Sequence, residues 1–173
     1  MFKSFLTPVT KKHTVRKVLR THPLHLFRIV QDVDDYKNFL PLCTNSKIIR
    51  LSPDGRSFDG ALTVSFSSLF TEHYISRVSV IPETLTIQTE SFESTHFESL
   101  RSRWTLGEVE VNNEVCCDVD FEVEMTVSNP VIVNVLDRVL QQIAGRQVDA
   151  FEKRCLETAM PTDLIEAAKA LKQ

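Results

Sequence analysis

NPVIVNVLDRVLQQIAGRQVDAFEKRCL, residues 129–156, is the stretch on which the reading of the fold turns. Asn129 is a helix-capping residue, and Pro130 stands where a first-turn proline needs no amide hydrogen, so one long helix from Asn129 to Leu156 is expected. Ile132, Leu136, Val139, Leu140 and Ile143 recur at helical spacing and form an apolar stripe. After Gly145 the apolar positions Val148, Phe151 and Cys155 lie further round the cylinder, so the buried face turns partway along. Such a helix is not stable alone in water and requires a curved partner around its apolar side.

The hundred residues before it supply that partner. From Ser46 onward the apolar period is two: Ile48 and Ile49, then a turn at Pro53, Asp54 and Gly55, then Phe58, Leu62, Val64 and Phe66 on one face. Tyr74, Ser76, Val78 and Val80 continue the pattern, followed by Leu85 and Ile87, and by Leu100, Trp104 and Leu106. The clearest strand is Cys116 to Thr126, where Cys117, Val119, Phe121, Val123 and Met125 alternate with Asp118, Asp120, Glu122 and Glu124. One face is core and the other acidic surface. A hairpin through Asn112 and Asn113 sets Arg101 and Arg103 against those acids. Upstream, residues His13 to Arg20 read as a first strand of poor pattern. Thr21, His22 and Pro23 open a short helix with Leu26, Phe27 and Val30, and a second follows with Val33, Tyr36 and Leu40 until Pro41 ends it.

The order is strand, two short helices, about six antiparallel strands and one long helix. The fold class is α+β: a curved antiparallel sheet wrapped around the C-terminal helix, a helix-grip arrangement. Expected units are a basic N-terminal tail over residues 1–12, the domain over 13–157, and a tail over 158–173 with a short helix begun by Pro161, Thr162 and Asp163.

At 173 residues, 42% hydrophobic and 25% charged, the chain suits one soluble domain with a sizeable core. The net charge of −3 argues against general nucleic-acid affinity, though the basic residues cluster: Lys3, Lys11, Lys12, Arg16, Lys17, Arg20 and Arg28 all precede Asp32, the first acid. They read as a solvated first strand and tail, or as a membrane-surface or targeting segment. Cys43, Cys116, Cys117 and Cys155 form no CxxC pair, which points away from zinc and disulfides and toward a reducing compartment.

Catalytic patterns are missing. There is no Gly-rich phosphate loop, no HExxH and no nucleophile elbow. His73 adjoins Glu72, but neighbours on a strand point to opposite faces, so the two are incidental. Eleven phenylalanines stand against one Trp and two Tyr. Phe66, Phe70, Phe92, Phe97, Phe121 and Phe151 fall on or beside the concave face, either as core or as the wall of an apolar ligand cavity.

The segment Val30-Gln31-Asp32-Val33-Asp34-Asp35-Tyr36-Lys37-Asn38-Phe39-Leu40-Pro41-Leu42-Cys43 resembles the most distinctive motif of the coenzyme Q-binding proteins in the START and polyketide cyclase-like superfamily. Leu69, Phe70, Glu72, Tyr74, Ser76, Arg77 and Val78 are similar to the family's central strand. Phe97, Leu100 and Trp104 resemble its next stretch, and Ala150, Phe151 and Arg154 the end of its helix. Leu42 stands where an aromatic is usual, and His96 where a small residue or proline commonly precedes Phe97.

The resemblance implies a tunnel that holds coenzyme Q, a polyprenyl quinone, or its precursors, in a lipid chaperone that is not an enzyme. It implies a peripheral position on the matrix side of the mitochondrial inner membrane and a part in respiratory electron transport and quinone biosynthesis. Phe39, Pro41, Phe66, Phe70, Tyr74, Trp104, Val139 and Ile143 are the expected tunnel-lining or gating residues, with Leu69 and Phe70 touching the membrane from a connecting loop. Coenzyme Q is then a bound ligand, with no catalytic cofactor, no metal and no nucleic-acid partner. Bacterial members include a protein described as a toxin that interferes with ribosomal subunit association, so the alternative is a ribosome partner whose basic N-terminus meets RNA phosphates. A cyclase-like enzyme is the third reading.

Overall fold

The computed structural model describes residues 6–67 and 70–173, and the side chains of 66–70 are outside the description. Seven strands form one antiparallel sheet: β1 (Val9–Leu19), β2 (Cys43–Leu51), β3 (Ser57–Ser67), β4 (Phe70–Ile81), β5 (Thr86–Phe92), β6 (Ser99–Val111) and β7 (Glu114–Val127). Their order is β1-β7-β6-β5-β4-β3-β2, so the first strand closes on the last. Between β1 and β2 lie α1 (Pro23–Gln31), a 3-10 turn over Val33–Asp35 and α2 (Tyr36–Phe39). After β7 come α3 (Pro130–Val133), α4 (Leu136–Glu157) and α5 (Thr162–Ala170). The helix-grip architecture is as the sequence implies.

β7 builds as its alternation requires. Cys117, Val119, Phe121, Val123, Met125 and Val127 are buried, while Asp118, Asp120, Glu122 and Glu124 take the outward positions. Asn112 and Asn113, with φ of 52° and 64°, make the tight hairpin that pairs Arg103 with Glu122 and Arg101 with Glu124. The turn after β2 needs the left-handed backbone of Gly55, φ +69°.

Two elements differ from expectation. β1 begins at Val9, ahead of His13, with Val9 opposite Val127 and Lys11 opposite Met125. Its pattern is poor because it spans two charged surfaces: Lys12 and Arg16 reach Glu122 and Asp120 on β7 at 2.7 and 3.0 Å, while Lys11 and Lys17 reach Asp137 and Asp149 on α4 at 3.4 and 3.0 Å. The long helix is also two helices. The Asn129 side chain accepts the Val131 amide at 2.9 Å and Pro130 opens α3 as expected, but Val135 leaves the helix at φ −114°. β-Branched Val131, Ile132, Val133 and Val135 are poor helix formers, so the chain restarts at Leu136.

α4 buries Leu136, Leu140 and Ala144, then Val148, Phe151 and Cys155, the turning face foreseen from the spacing. At its far end Phe151 is the hub of an aromatic cluster, with ring centroids 5.3 Å from Tyr36, 5.3 Å from Phe39 and 5.1 Å from Trp104. Arg154 donates to Asp35 at 2.8 and 3.0 Å and lies over the Phe39 ring, which joins two distant segments of the quoted resemblance.

The start of α1 carries a pH dependence. His22 caps the helix through Nδ1, which accepts the Leu24 amide at 3.2 Å. Burial lowers the pKa of His22, with Glu108 opposing and Lys172 adding, and burial followed by His22 lowers that of His25. Both are therefore more readily protonated in the unfolded chain, whose histidines titrate near 6.5. Their contribution is complete above that pH and is lost as pH falls through the lower folded values. Urea midpoints are expected to drop between pH 7.5 and 5.5, and the pair His22→Asn, His25→Gln to flatten the decline while Asn keeps a cap acceptor. An unchanged slope in that variant would contradict this assignment.

Candidate functional site

Between the sheet and the first half of α4 lies a cavity of about 300 Å³, at the small end for ligand pockets. β4 to β7 give its floor through Tyr74, Val78, Ile87, Trp104 and Val123, while Val139, Leu140 and Ile143 of α4 form the opposite wall. Alternation delivers the floor residues: from Tyr74 to Val78 every second side chain faces inward. The rim includes Pro41, Leu42, Gln142 and Arg146. Leu42 sits at φ 68°, a left-handed conformation costly for a leucine, and its carbonyl accepts the Ser65 amide at 2.9 Å.

Of the expected lining residues, Pro41, Tyr74, Trp104, Val139 and Ile143 meet at this cavity. Phe39 is placed beside it, in the cluster with Tyr36 and Phe151. The side chains of Phe66 and Phe70 and all of Leu69 are outside the described residues, and with them the expected membrane contact. Phe92 is a correction: it lies on the outer face beneath the Arg77 guanidinium, because Ser91, not Phe92, has inward parity. Phe121 and Phe151 fill the core behind Trp104, and among the described phenylalanines Phe97 alone lines the cavity.

Tyr36 and Tyr74 are buried phenols whose pKa values burial pushes far up, so both stay protonated. The Tyr36 hydroxyl donates to the Val30 carbonyl. Burial likewise raises Cys43, and it pushes Cys117 up to about 12 and Cys155 to about 11, which keeps these thiols protonated at neutral pH. No group of three or more His, Cys, Asp or Glu placed to hold a metal occurs among the described residues.

One constellation was missed. Glu72 is fully buried, and its partner is His96 rather than the adjacent His73, which meets Thr63 at 2.9 Å on the outer side. One Glu72 oxygen accepts the Ser94 hydroxyl at 2.6 Å, the Thr95 amide at 2.7 Å and the His96 amide at 3.3 Å, and the other meets the His96 ring. Burial pushes this carboxyl up, but those donors together outweigh it and hold it below its usual range. The result is an anchored loop, residues 93–98, which sets Phe97 against Tyr74 with centroids 5.4 Å apart. The inward parity of a carboxylate two residues before Tyr74 was the available signal.

The family described as polyketide cyclase / dehydrase and lipid transport matches residues 22–152. The mitochondrial coenzyme Q-binding protein COQ10 of Dictyostelium discoideum is 26% identical over 86% of this chain and 70% of its own length. That of Schizosaccharomyces pombe is 31% identical over 58% of this chain and 62% of its own. The ribosome association toxin RatA of Pseudomonas aeruginosa is 27% identical over 82% of this chain and 94% of its own. Among solved structures, a Thermus thermophilus protein superposes with a TM-score of 0.74 at 12% identity, over 87% of this chain and all of that one. A Streptomyces aromatase/cyclase gives 0.69 at 13%, over 86% and 93%. These two likenesses speak to the fold alone. By its sequence match and its architecture, this chain belongs to the polyketide cyclase / dehydrase and lipid transport family, and mitochondrial coenzyme Q-binding proteins are among its relatives.

Proposed function

We propose that the chain is a non-enzymatic lipid chaperone that holds coenzyme Q or a polyprenyl precursor and supports quinone synthesis and respiratory electron transport. Its proposed place is the matrix side of the mitochondrial inner membrane, held peripherally. The observation that carries this reading is the largely apolar cavity between sheet and α4, in a chain whose curated relatives are named for binding coenzyme Q. Burying an isoprenoid tail gains roughly 0.8 kcal/mol per carbon. Micromolar affinity requires about 8 kcal/mol net, so the ring and a short length of tail suffice after ordering costs. A cavity of about 300 Å³ takes that much and leaves a long tail outside, which favours transfer at a membrane surface over carriage through water. No helix among the described residues is long and apolar enough to cross a membrane.

The buried Glu72 carboxylate and its His96 partner stand outside the cavity lining, and donors of one loop already occupy both Glu72 oxygens, which favours binding over chemistry. Organic extraction of gently purified protein, followed by mass spectrometry of the lipids, tests the reading. Near-stoichiometric polyprenyl quinone is the expected result, and an empty extract with no uptake of added quinone contradicts it.

A ribosome partner is the second reading, favoured by the toxin's coverage of most of this chain. Against it, Lys11, Lys12, Arg16 and Lys17 are each paired with an acid on β7 or α4. Salt-sensitive co-sedimentation with ribosomes is the observation that would bring it forward.

A further inference from the structure

Four hydroxyls interrupt the apolar floor of the cavity. Ser76 on β4, Thr89 and Ser91 on β5, and Ser102 on β6 all line it, and the register makes them neighbours: Ser76 stands opposite Ser91, and Thr89 opposite Ser102. Inward positions at the centre of a sheet ordinarily carry Val, Ile or Leu, as Val78 and Ile87 do here. Thr89 and Ser102 hydrogen-bond each other at 2.7 Å. Ser76 and Ser91 are each 5% exposed and have no side-chain hydrogen-bond partner among the described residues. Both line the cavity, so their hydroxyls are open to it and available to an occupant with hydrogen-bonding atoms.

We infer that this patch is the subsite for the polar head of the ligand, a neutral ring bearing several oxygen acceptors such as carbonyl and methoxy groups. The inference rests on the carrier reading and adds which residues take the head and how the ligand is oriented. Each hydroxyl has one proton to donate, and one of the Thr89–Ser102 pair gives its proton to the other, so three donors remain for ring oxygens. Arg146 is the one charged residue among the described lining residues, and it lies on the exposed side of α4. A carboxylate or phosphate on the patch would therefore lose water without gaining a counter-charge, so fatty acids and phospholipids are disfavoured there head-first. Tyr74 lies two residues before Ser76, and Trp104 two after Ser102, so a flat ring on the patch has aromatic neighbours at both ends. Val139, Ile143 and Leu62 are left as apolar wall for the first part of a tail.

The test compares two probes on the full chain by equilibrium dialysis: a benzoquinone with a tail of two isoprene units, and the benzene with the same tail and no ring oxygens. The double variant Ser76→Ala, Ser91→Ala removes no protein hydrogen bond, and Ser91→Ala alone serves as the milder version. Loss of one to two neutral hydrogen bonds should raise the quinone Kd roughly five- to thirtyfold in the double variant and about fivefold in the single one. The hydrocarbon Kd should stay within about twofold. Equal change for both probes, or no change for either, overturns the subsite while leaving the carrier reading intact. Wild-type protein that binds neither probe overturns both.

Discussion

Phe151→Ala is expected to cost about 3–5 kcal/mol of unfolding free energy, the largest effect anticipated for any single substitution in this chain. Phe151 is wholly buried and its ring meets those of Tyr36, Phe39 and Trp104, so truncation empties a point where α4, α2 and the sheet converge. Edge-to-face packing adds to the lost burial, and three surrounding rings have little freedom to collapse into the space. For a domain of this size the loss corresponds to a fall in Tm of about 6–20 °C. Thermal and urea unfolding measure it directly. A loss below about 1 kcal/mol would mean that the cluster repacks and that Phe151 is not the hub.

The second large effect is at Glu72. Glu72→Ala removes the acceptor of the Ser94 hydroxyl and of two backbone amides, together with one partner of the His96 ring, and should cost about 2–4 kcal/mol, less than a fully enclosed ion pair because His96 is partly exposed to water. Glu72→Gln retains a carbonyl acceptor and should cost about half as much. Because the folded carboxyl sits below its ordinary value, its contribution is present above about pH 4.5 and is lost as pH falls through the folded value. Glu72→Gln should remove that acid slope. A double-mutant cycle with His96→Ala should show a coupling of about 0.5–3 kcal/mol, and additive losses would break the link. Loosening of residues 93–98 should also release Phe97 from Tyr74, so quinone affinity is expected to fall together with stability.

Why the sheet was legible and the cavity less so follows from what each depends on. β7 declares its two faces within its own sequence, Phe121 and Val123 against Asp120 and Glu122, and the same parity places Tyr74 and Trp104 inward without knowledge of their neighbours. β1 hid its start because its inward positions are satisfied by acids on α4, more than a hundred residues away. The break at Val135 was masked by an apolar spacing that continues across it, although the β-branched run carried the warning. Phenylalanine content misled in the other direction: burial consumes Phe27, Phe58, Phe121 and Phe151 in the core, and the cavity is distinguished by small hydroxyls instead. Glu72 lies in β4 and His96 beyond the end of β5, so their pairing depends on a loop that parity does not reach.

The most direct test of a quinone cavity uses Trp104, the single tryptophan of the chain, which is 2% exposed and lines the cavity. Quinones quench indole emission on contact by accepting an electron from the excited ring, and burial shields Trp104 from quenchers that stay in water. Titration with a short-tailed benzoquinone is predicted to give deep, saturable quenching at one equivalent per chain. Quenching that rises linearly without saturation, no stronger than for a free tryptophan amide in the same buffer, would contradict the account.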